Sequence, residues 1–188
     1  MKFSRLFIAA VALSACSKAA PPAEAPPAAP AAPAAEAAKT AQAPRVEQDS
    51  PRLRAGQEAI GAYAKVRAAL AADNLADAKT AAGAAKPALE AAAAALPDAA
   101  TELQHVGAAL GAIAGAADMP GARQAFGDAS KSMITVVASE KALQTGLVCY
   151  RCPMTKTYQK WLQTGDEMGN PYYGAEMLHC GGKVPIAP

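Results

Sequence analysis

Apolar residues recur at intervals of three and four along much of the chain, which is the spacing of one face of an α-helix. Four segments carry this pattern as separate apolar stripes. The stripes are Leu53, Ile60, Tyr63, Val66 and Leu70; Leu75, Ala78, Ala82, Ala85, Leu89, Ala92 and Leu96; Leu103, Val106, Leu110 and Ile113; and Phe126, Ala129, Met133, Val136 and Leu143. Because each stripe covers a single face, each segment predicts one helix that buries one side.

Residues that cap or open helices precede three of these stripes. They are Ser50-Pro51, Asp73-Asn74 and Pro97-Asp98. Residues 118–121 (Asp-Met-Pro-Gly) separate the third stripe from the fourth, and Gly146 can end the fourth helix. Pro87 lies inside the second segment, where its missing N–H and the clash of its ring predict a kink or a break.

The connections between the predicted helices are short, which favours antiparallel neighbours. We therefore predict an all-α fold: an up-down-up-down four-helix bundle over residues 48–146, with a loop-rich Cys/Met/Tyr segment, residues 147–188, packed on it. Much of the predicted core is alanine, which lets helices approach closely but buries little area per residue. We expect modest stability as a result.

The first 15 residues are typical of an export signal. Lys2 and Arg5 are basic, and the apolar run at residues 6–13 is too short to span a bilayer. The run ends in Leu13-Ser14-Ala15-Cys16, which resembles the lipobox of bacterial lipoproteins. The resemblance implies cleavage before Cys16 and acylation of that residue, which would anchor the chain to a membrane; the alternative is an ordinary secretory signal followed by a chance cysteine.

The resemblance to lipoproteins also implies a location in the cell envelope, on the periplasmic side. Ser17, rather than an aspartate, follows the lipidated cysteine and favours the outer membrane over the inner membrane. Residues 16–47 are then the lipidated Cys and an Ala/Pro-rich linker, whose prolines favour extended polyproline II and whose small side chains cannot form a core. We expect this linker to hold the domain away from the membrane.

The charge of the chain changes once the signal is removed. Without Lys2 and Arg5, sixteen basic residues face sixteen acidic residues, so the mature chain is close to neutral. A neutral chain gives no reason to expect a nucleic-acid partner. The sequence also lacks a nucleophile elbow, a glycine-rich phosphate loop and a pair of catalytic carboxylates, so we predict that the protein is not an enzyme.

The C-terminal segment contains most of the sulfur and aromatic residues, in short motifs. These are Cys152-Pro153-Met154, Trp161, Asn170-Pro171-Tyr172-Tyr173-Gly174, and Met177 followed by Cys180-Gly181. They resemble the signature of a family of uncharacterised extracytoplasmic four-helix domains, found as lipoproteins and fused to periplasmic adaptor subunits of heavy-metal (copper and silver) efflux systems. The resemblance covers residues 152–181 and implies an efflux adaptor or another envelope protein as a partner.

One hypothesis for this segment is a soft-metal site. Thiolates and thioethers are soft ligands that select Cu(I), and Ag(I) behaves similarly. The candidate ligands are Cys152, Met154, Met177 and Cys180, with Cys149 and His179 as further possibilities. In this interpretation Cu(I) is the only cofactor, and the protein holds or transfers the ion.

The alternative hypothesis is a disulfide between Cys152 and Cys180, since exported domains commonly contain disulfides. The protein is then a structural or interaction module of the envelope without a metal. Its tyrosines, Tyr172 and Tyr173, either pack against the helices or contact a partner. A zinc site of Cys149, Cys152, His179 and Cys180 and a redox-active Cys149-x-x-Cys152 pair are weaker alternatives.

Overall fold

The computed structural model describes residues 50–188, so the predicted signal, Cys16 and the whole of the Ala/Pro-rich linker lie outside the described residues. The described chain is mostly helical. Its helices are α1 (Pro51–Ala71), α2 (Leu75–Ala84), α3 (Lys86–Ala95), α4 (Ala100–Ala114) and α5 (Met119–Ser139). Among residues 50–188, no helix combines the length and the apolar character needed to cross a membrane.

Side-chain caps confirm two of the three predicted helix starts, and α4 begins at Ala100, after a 3-10 turn at Pro97–Ala99, rather than at Pro97; a further cap lies at Asp118, which the sequence marked only as a break. Ser50 Oγ accepts the N–H of Leu53 at 3.2 Å before α1. Asn74 Oδ1 accepts the Asp77 N–H at 3.0 Å before α2. The Asp118 carboxylate caps α5 in the same way. Each cap supplies a partner for an N–H group that the first turn of a helix leaves unpaired.

The predicted second helix is two helices, so residues 50–188 contain five helices rather than four. The break falls at Ala85. Pro87 follows two residues later and lies in the first turn of α3. A proline is tolerated in that position because the N–H groups of a first turn have no partner in the helix. The expected break at Pro87 is therefore confirmed, and the four-helix order is not.

The last helix is shorter than its pattern predicts. Helix α5 ends at Ser139, well before Gly146, and a 3-10 turn, Lys141–Gln144, follows it. Leu143 lies in this turn and is buried there. Its place on the apolar stripe was correct, although its place in a continuous helix was wrong.

The buried core agrees closely with the predicted stripes. Every stripe residue except Leu75 is buried. Helix α1 packs against α2 and α3, and α4 packs against α2, α3 and α5. Helix α5 also packs against the C-terminal segment, and it buries Ile134 and Val137 in addition to its stripe.

The all-α prediction is wrong for residues 147–188, which we call the C-terminal lobe. The lobe contains a three-stranded antiparallel sheet of β1 (Leu147–Arg151), β2 (Lys160–Thr164) and β3 (Gly182–Val184), in the order β2-β1-β3. A 3-10 turn, Gly174–Glu176, lies in the long connection between β2 and β3. Each strand has five residues or fewer, so its alternation of apolar and polar residues is too short to distinguish a strand from a loop in the sequence.

Tyrosine hydroxyls cover the outer edge of β2. The Leu162 N–H donates to Tyr63 Oη of α1 at 3.3 Å, and Tyr172 Oη donates to the Lys160 carbonyl oxygen at 2.7 Å. Both strand groups lie on the side that faces away from β1. An uncovered edge is a template for pairing with another chain, so these hydroxyls take the place of a fourth strand.

Candidate thiol site

The sheet brings two of the candidate cysteines together. Cys152 directly follows β1, and Cys180 lies two residues before β3. Strands β1 and β3 pair with Arg151 opposite Gly182, so the two cysteines leave the sheet at the same end. Their sulfur atoms are 3.0 Å apart and are not bonded. The sequence prediction that Cys152 and Cys180 share one site is therefore consistent with their placement.

Cys152 is fully buried, and its sulfur is in contact with the sulfur of Cys180. Burial by itself would raise the pKa of this thiol. Hydrogen bonds to the sulfur from Cys180 and from the Met154 backbone, with Thr155 and Asn170 beside it, outweigh burial and lower the pKa of Cys152. The same contact raises the pKa of Cys180. When the pair is reduced, Cys152 is therefore the sulfur that ionises first.

Asn170 organises the loop that carries Cys180. Its side chain is buried, with Nδ2 donating to the Cys180 carbonyl oxygen at 3.1 Å and Oδ1 accepting the Tyr172 N–H at 2.9 Å. Its own N–H donates to the Leu178 carbonyl oxygen at 2.8 Å. An aspartate would lack the Nδ2 donor, so the amide is specifically suited to this position.

A buried glutamine makes a second network, which the sequence did not indicate. Gln163 Oε1 accepts the Trp161 indole N–H at 3.0 Å and the Gly169 N–H at 3.2 Å, and Gln163 Nε2 donates to the Glu167 carbonyl oxygen at 2.7 Å. Arg67 of α1 donates to the Gly169 carbonyl oxygen at 3.0 Å. These bonds attach the connection after β2 to both the sheet and the helices.

An ion pair fixes the Asn-Pro-Tyr-Tyr-Gly turn to the helices. Arg123 of α5 pairs with Asp73 and donates to the carbonyl oxygens of Pro171 and Leu70. Asp73 also accepts the Ala175 N–H at 2.8 Å. The hydrogen bond from Ala175 and the pairing with Arg123 lower the pKa of the Asp73 carboxyl. The sequence indicated Asp73 only as a helix cap and did not single out Arg123.

The aromatic residues of the lobe form a continuous cluster with the helices. The Trp161 ring stacks on Tyr150 with centroids 5.7 Å apart, and its other neighbour is the edge of Tyr172 at 5.9 Å. Tyr172 contacts Phe126 of α5 at 5.8 Å, and Phe126 stacks on Tyr63 at 5.1 Å. Tyr172 is buried. Of the two hypotheses for this tyrosine, packing against the helices agrees with the structure.

The two candidate methionine ligands lie between the two cysteines along the chain, Met154 two residues after Cys152 and Met177 three residues before Cys180. Met154 is 56% exposed, and its carbonyl oxygen accepts the hydroxyl of Tyr173 at 2.7 Å. Met177 is half-buried, and its carbonyl oxygen accepts the Cys180 N–H at 3.0 Å. The backbone of each methionine is thus close to the site, through the Cys152 sulfur in one case and the Cys180 backbone in the other.

The two further candidates occupy different surroundings. Cys149 is buried in the middle of β1, where burial raises its pKa to about 11 and its sulfur contacts the Tyr150 carbonyl oxygen at 3.9 Å. His179 is exposed, with Nδ1 at 3.0 Å from the Met168 carbonyl oxygen. Within residues 50–188, no group of three or more His, Cys, Asp or Glu side chains is placed to hold one metal ion.

The lobe borders a cleft at the start of α5. This cleft has a volume of about 360 Å³, and its lining includes Thr155, Tyr173 and Gln124. A larger groove of about 560 Å³ lies between α3 and α4, with Leu89 and Leu110 among its lining residues. The smaller cleft shares Thr155 with the cysteine site, whereas the larger groove is lined by helical residues alone.

Comparison with known proteins identifies one family. Residues 59–145 match a family model described as a protein of unknown function (DUF3347). The matched stretch runs from within α1 to the turn after α5, so it covers the helices and ends before β1 and both cysteines of the site. No curated protein and no solved structure matches the chain. What is established is a helical region similar to the DUF3347 family.

Proposed function

We propose that this chain is a lipid-anchored protein of the cell envelope whose C-terminal lobe is closed by a disulfide between Cys152 and Cys180. In this role it is a non-enzymatic interaction module, with an efflux adaptor or another envelope protein as its partner. The anchor rests on the Leu-Ser-Ala-Cys motif ending at Cys16. The observation that carries the disulfide is the distance of 3.0 Å between the two sulfur atoms.

That distance favours a disulfide over a shared metal ion. A disulfide bond is about 2.05 Å long, so bond formation needs an approach of about 1 Å. Two thiolates that bind one ion tetrahedrally at about 2.3 Å lie about 3.8 Å apart, so metal binding needs them to separate. Separation would also disturb the loop of Cys180, whose carbonyl oxygen accepts a hydrogen bond from Asn170 Nδ2 at 3.1 Å.

The position of the disulfide suits a closing function. Cys152 and Cys180 are 28 positions apart, and the segment between them contains β2 and the Asn-Pro-Tyr-Tyr-Gly turn. A cross-link of this length removes about 3.5 kcal/mol of chain entropy from the unfolded state. It therefore holds β3 and the Cys180 loop against β1, where hydrogen bonding alone joins only three residues of each strand.

Two measurements on the full chain test this proposal. Sedimentation of cell envelopes should recover the wild-type chain with the membranes, released only by detergent, whereas the Cys16→Ser variant should be soluble. In the Cys16→Ser chain isolated from an oxidising compartment, alkylation should modify Cys149 alone after denaturation. Alkylation of Cys152 and Cys180 without a reductant would contradict the disulfide, and membrane association of Cys16→Ser would contradict the lipid anchor.

Soft-metal binding is a second candidate for the reduced lobe. The observation in its favour is that the two thiols are in contact and that each has a methionine within three residues, Met154 or Met177, whose backbone is close to the site. Met154 exposes more than half of its side chain, so its thioether is free to turn towards an ion. Thiolate and thioether ligands suit Cu(I) and Ag(I).

Silver ion provides a redox-inert probe of this second candidate. The reduced Cys16→Ser chain should bind one Ag(I) in native mass spectra, and the bound ion should protect Cys152 and Cys180 from alkylation. Replacing both cysteines by serine should abolish binding. Cys149→Ser is the matched control and should retain it. Unchanged binding after loss of both cysteines would exclude this site as the metal centre.

A further inference from the structure

We propose that the Cys152–Cys180 disulfide is exchanged by a dithiol protein, which attacks at Cys180. The inference rests on the disulfide of the proposed function and adds a reaction to it. It starts from an asymmetry between the two sulfur-bearing residues, because Cys152 is fully buried whereas Cys180 is half-buried. An attacking thiolate must approach a sulfur directly, so accessibility decides which of the two is attacked.

The surroundings of Cys180 allow a macromolecule to approach. His179 precedes it and is exposed, and Gly181 and Gly182 follow it and are exposed. The two glycines add no side chains that would shield the sulfur. Gly181 also lies so close to Trp161 and to the Arg151 carbonyl oxygen that a Cβ there would meet atoms at 3.1 Å and 3.0 Å. A larger residue at that position would displace the loop that presents Cys180.

The surroundings of Cys152 suit the opposite role, that of the leaving group. Cys152 is fully buried, and its backbone is held by hydrogen bonds from its N–H to the Gln159 carbonyl oxygen at 3.0 Å and from the Thr155 N–H to its own carbonyl oxygen at 3.4 Å. An external thiolate cannot reach a buried sulfur, so attack at Cys180 leaves the electron pair of the broken bond on Cys152.

The reaction is a two-electron exchange. A thiolate of the partner attacks the Cys180 sulfur, a mixed disulfide forms there, and the Cys152–Cys180 bond breaks with its electron pair on Cys152, which is later protonated. The second thiolate of the partner then attacks the partner sulfur of the mixed disulfide and releases Cys180, which takes up a proton. The partner dithiol is oxidised to a disulfide, and the lobe is reduced to two thiols.

A trapping experiment tests the point of attack. The full chain carrying Cys16→Ser is oxidised and incubated with a thioredoxin-type protein whose second cysteine is replaced by serine, so that the mixed disulfide persists. Peptide mass spectrometry then locates the adduct. We expect it on Cys180 in at least about tenfold excess over Cys152. A Cys149→Ser chain serves as the control and should give the same ratio.

The outcomes separate this inference from the proposed function. If oxidation does not remove two hydrogens from the chain, no disulfide forms and the proposed function fails. If the disulfide forms but the adduct is on Cys152, or is divided equally, the assignment of Cys180 is wrong. If the disulfide forms and no adduct appears unless the chain is denatured, the disulfide is inert and the exchange reaction is overturned.

Discussion

The helical region, residues 50–144, and the C-terminal lobe are stabilised in different ways. The helices are held mainly by repeated small and aliphatic side chains, so the same kind of contact recurs along each stripe. The lobe depends on single side chains that have no substitute nearby, such as Trp161, Gln163 and Asn170. Helices that are held by many contacts of one kind therefore tolerate substitution, whereas a small sheet with long connections needs particular hydrogen-bond partners.

The largest expected effect comes from removing the central ring of the lobe. Trp161 is fully buried between Tyr150 and Tyr172, so Trp161→Ala should cost about 3–5 kcal/mol of unfolding free energy. Urea unfolding followed by circular dichroism measures it. Met154→Ala, at an exposed position, is the control and should change stability by less than about 0.5 kcal/mol. If Trp161→Ala left the urea midpoint of helix unfolding unchanged, the two regions would unfold independently.

The next effect is that of the disulfide. Reducing the oxidised wild-type chain should lower the unfolding free energy by about 3.5 kcal/mol, because the unfolded chain regains the entropy of the closed loop. Trp161 is the single tryptophan, so its fluorescence follows the lobe while circular dichroism follows the helices. A Cys152→Ser/Cys180→Ser chain should not respond to reductant. A response in that variant would assign the effect to another thiol.

Smaller effects should follow from removing the hydroxyls that cover β2. Tyr63→Phe leaves the buried Leu162 N–H without its partner and also removes the contact with Ser130, so we expect a loss of about 1–3 kcal/mol. Tyr172→Phe removes one donor to the Lys160 carbonyl oxygen and should cost about 1 kcal/mol. Thermal unfolding of the two variants shows which substitution costs more stability. Equal or reversed losses would show that the edge of β2 does not depend on Tyr63.

The smallest effect concerns the Asp73–Arg123 ion pair, whose two members lie in the helical region and bond to Ala175 and Pro171 of the lobe. The pKa of Asp73 is lowered in the folded state, so its stabilisation is present above the usual carboxyl pKa of about 3.9 and is lost as the pH falls through the lower folded pKa. Asp73→Asn keeps a residue that tolerates the φ of 56° and should cost less than about 1 kcal/mol at neutral pH. Below about pH 4 the variant and the wild type should converge in denaturant titrations. If the two unfolding free energies differed by the same amount at all pH values, the charge of Asp73 would not be the source of the stabilisation.

The sequence predicted the helical region well because its contacts repeat. The caps at Ser50 and Asn74 and the break at Pro87 depend on neighbours within four residues along the chain. The stripe residues are buried because a helix has one period, and a single period is readable in a sequence. The joining of α2 and α3 into one predicted helix arose from the same pattern, since the apolar spacing continues across the break.

The sequence alone was less informative for the lobe. It singled out Cys152 and Cys180 as one candidate pair, by chemistry and by resemblance, and their sulfurs are in contact. It did not indicate the sheet, because each strand has five residues or fewer. The soft-metal ligands, the lipid anchor and the efflux partner stay predictions.

What the sequence determined by itself was which residues are buried on the helices, where α1 and α2 begin, and which residue types are available for sulfur chemistry. Only the tertiary structure decided which of them meet. Tyr63 reaches Leu162 across 99 positions, and Asp73 reaches Ala175 across 102. Such contacts join groups whose local sequences carry no shared pattern, because each hydrogen bond is formed only after both segments are folded and packed against one another.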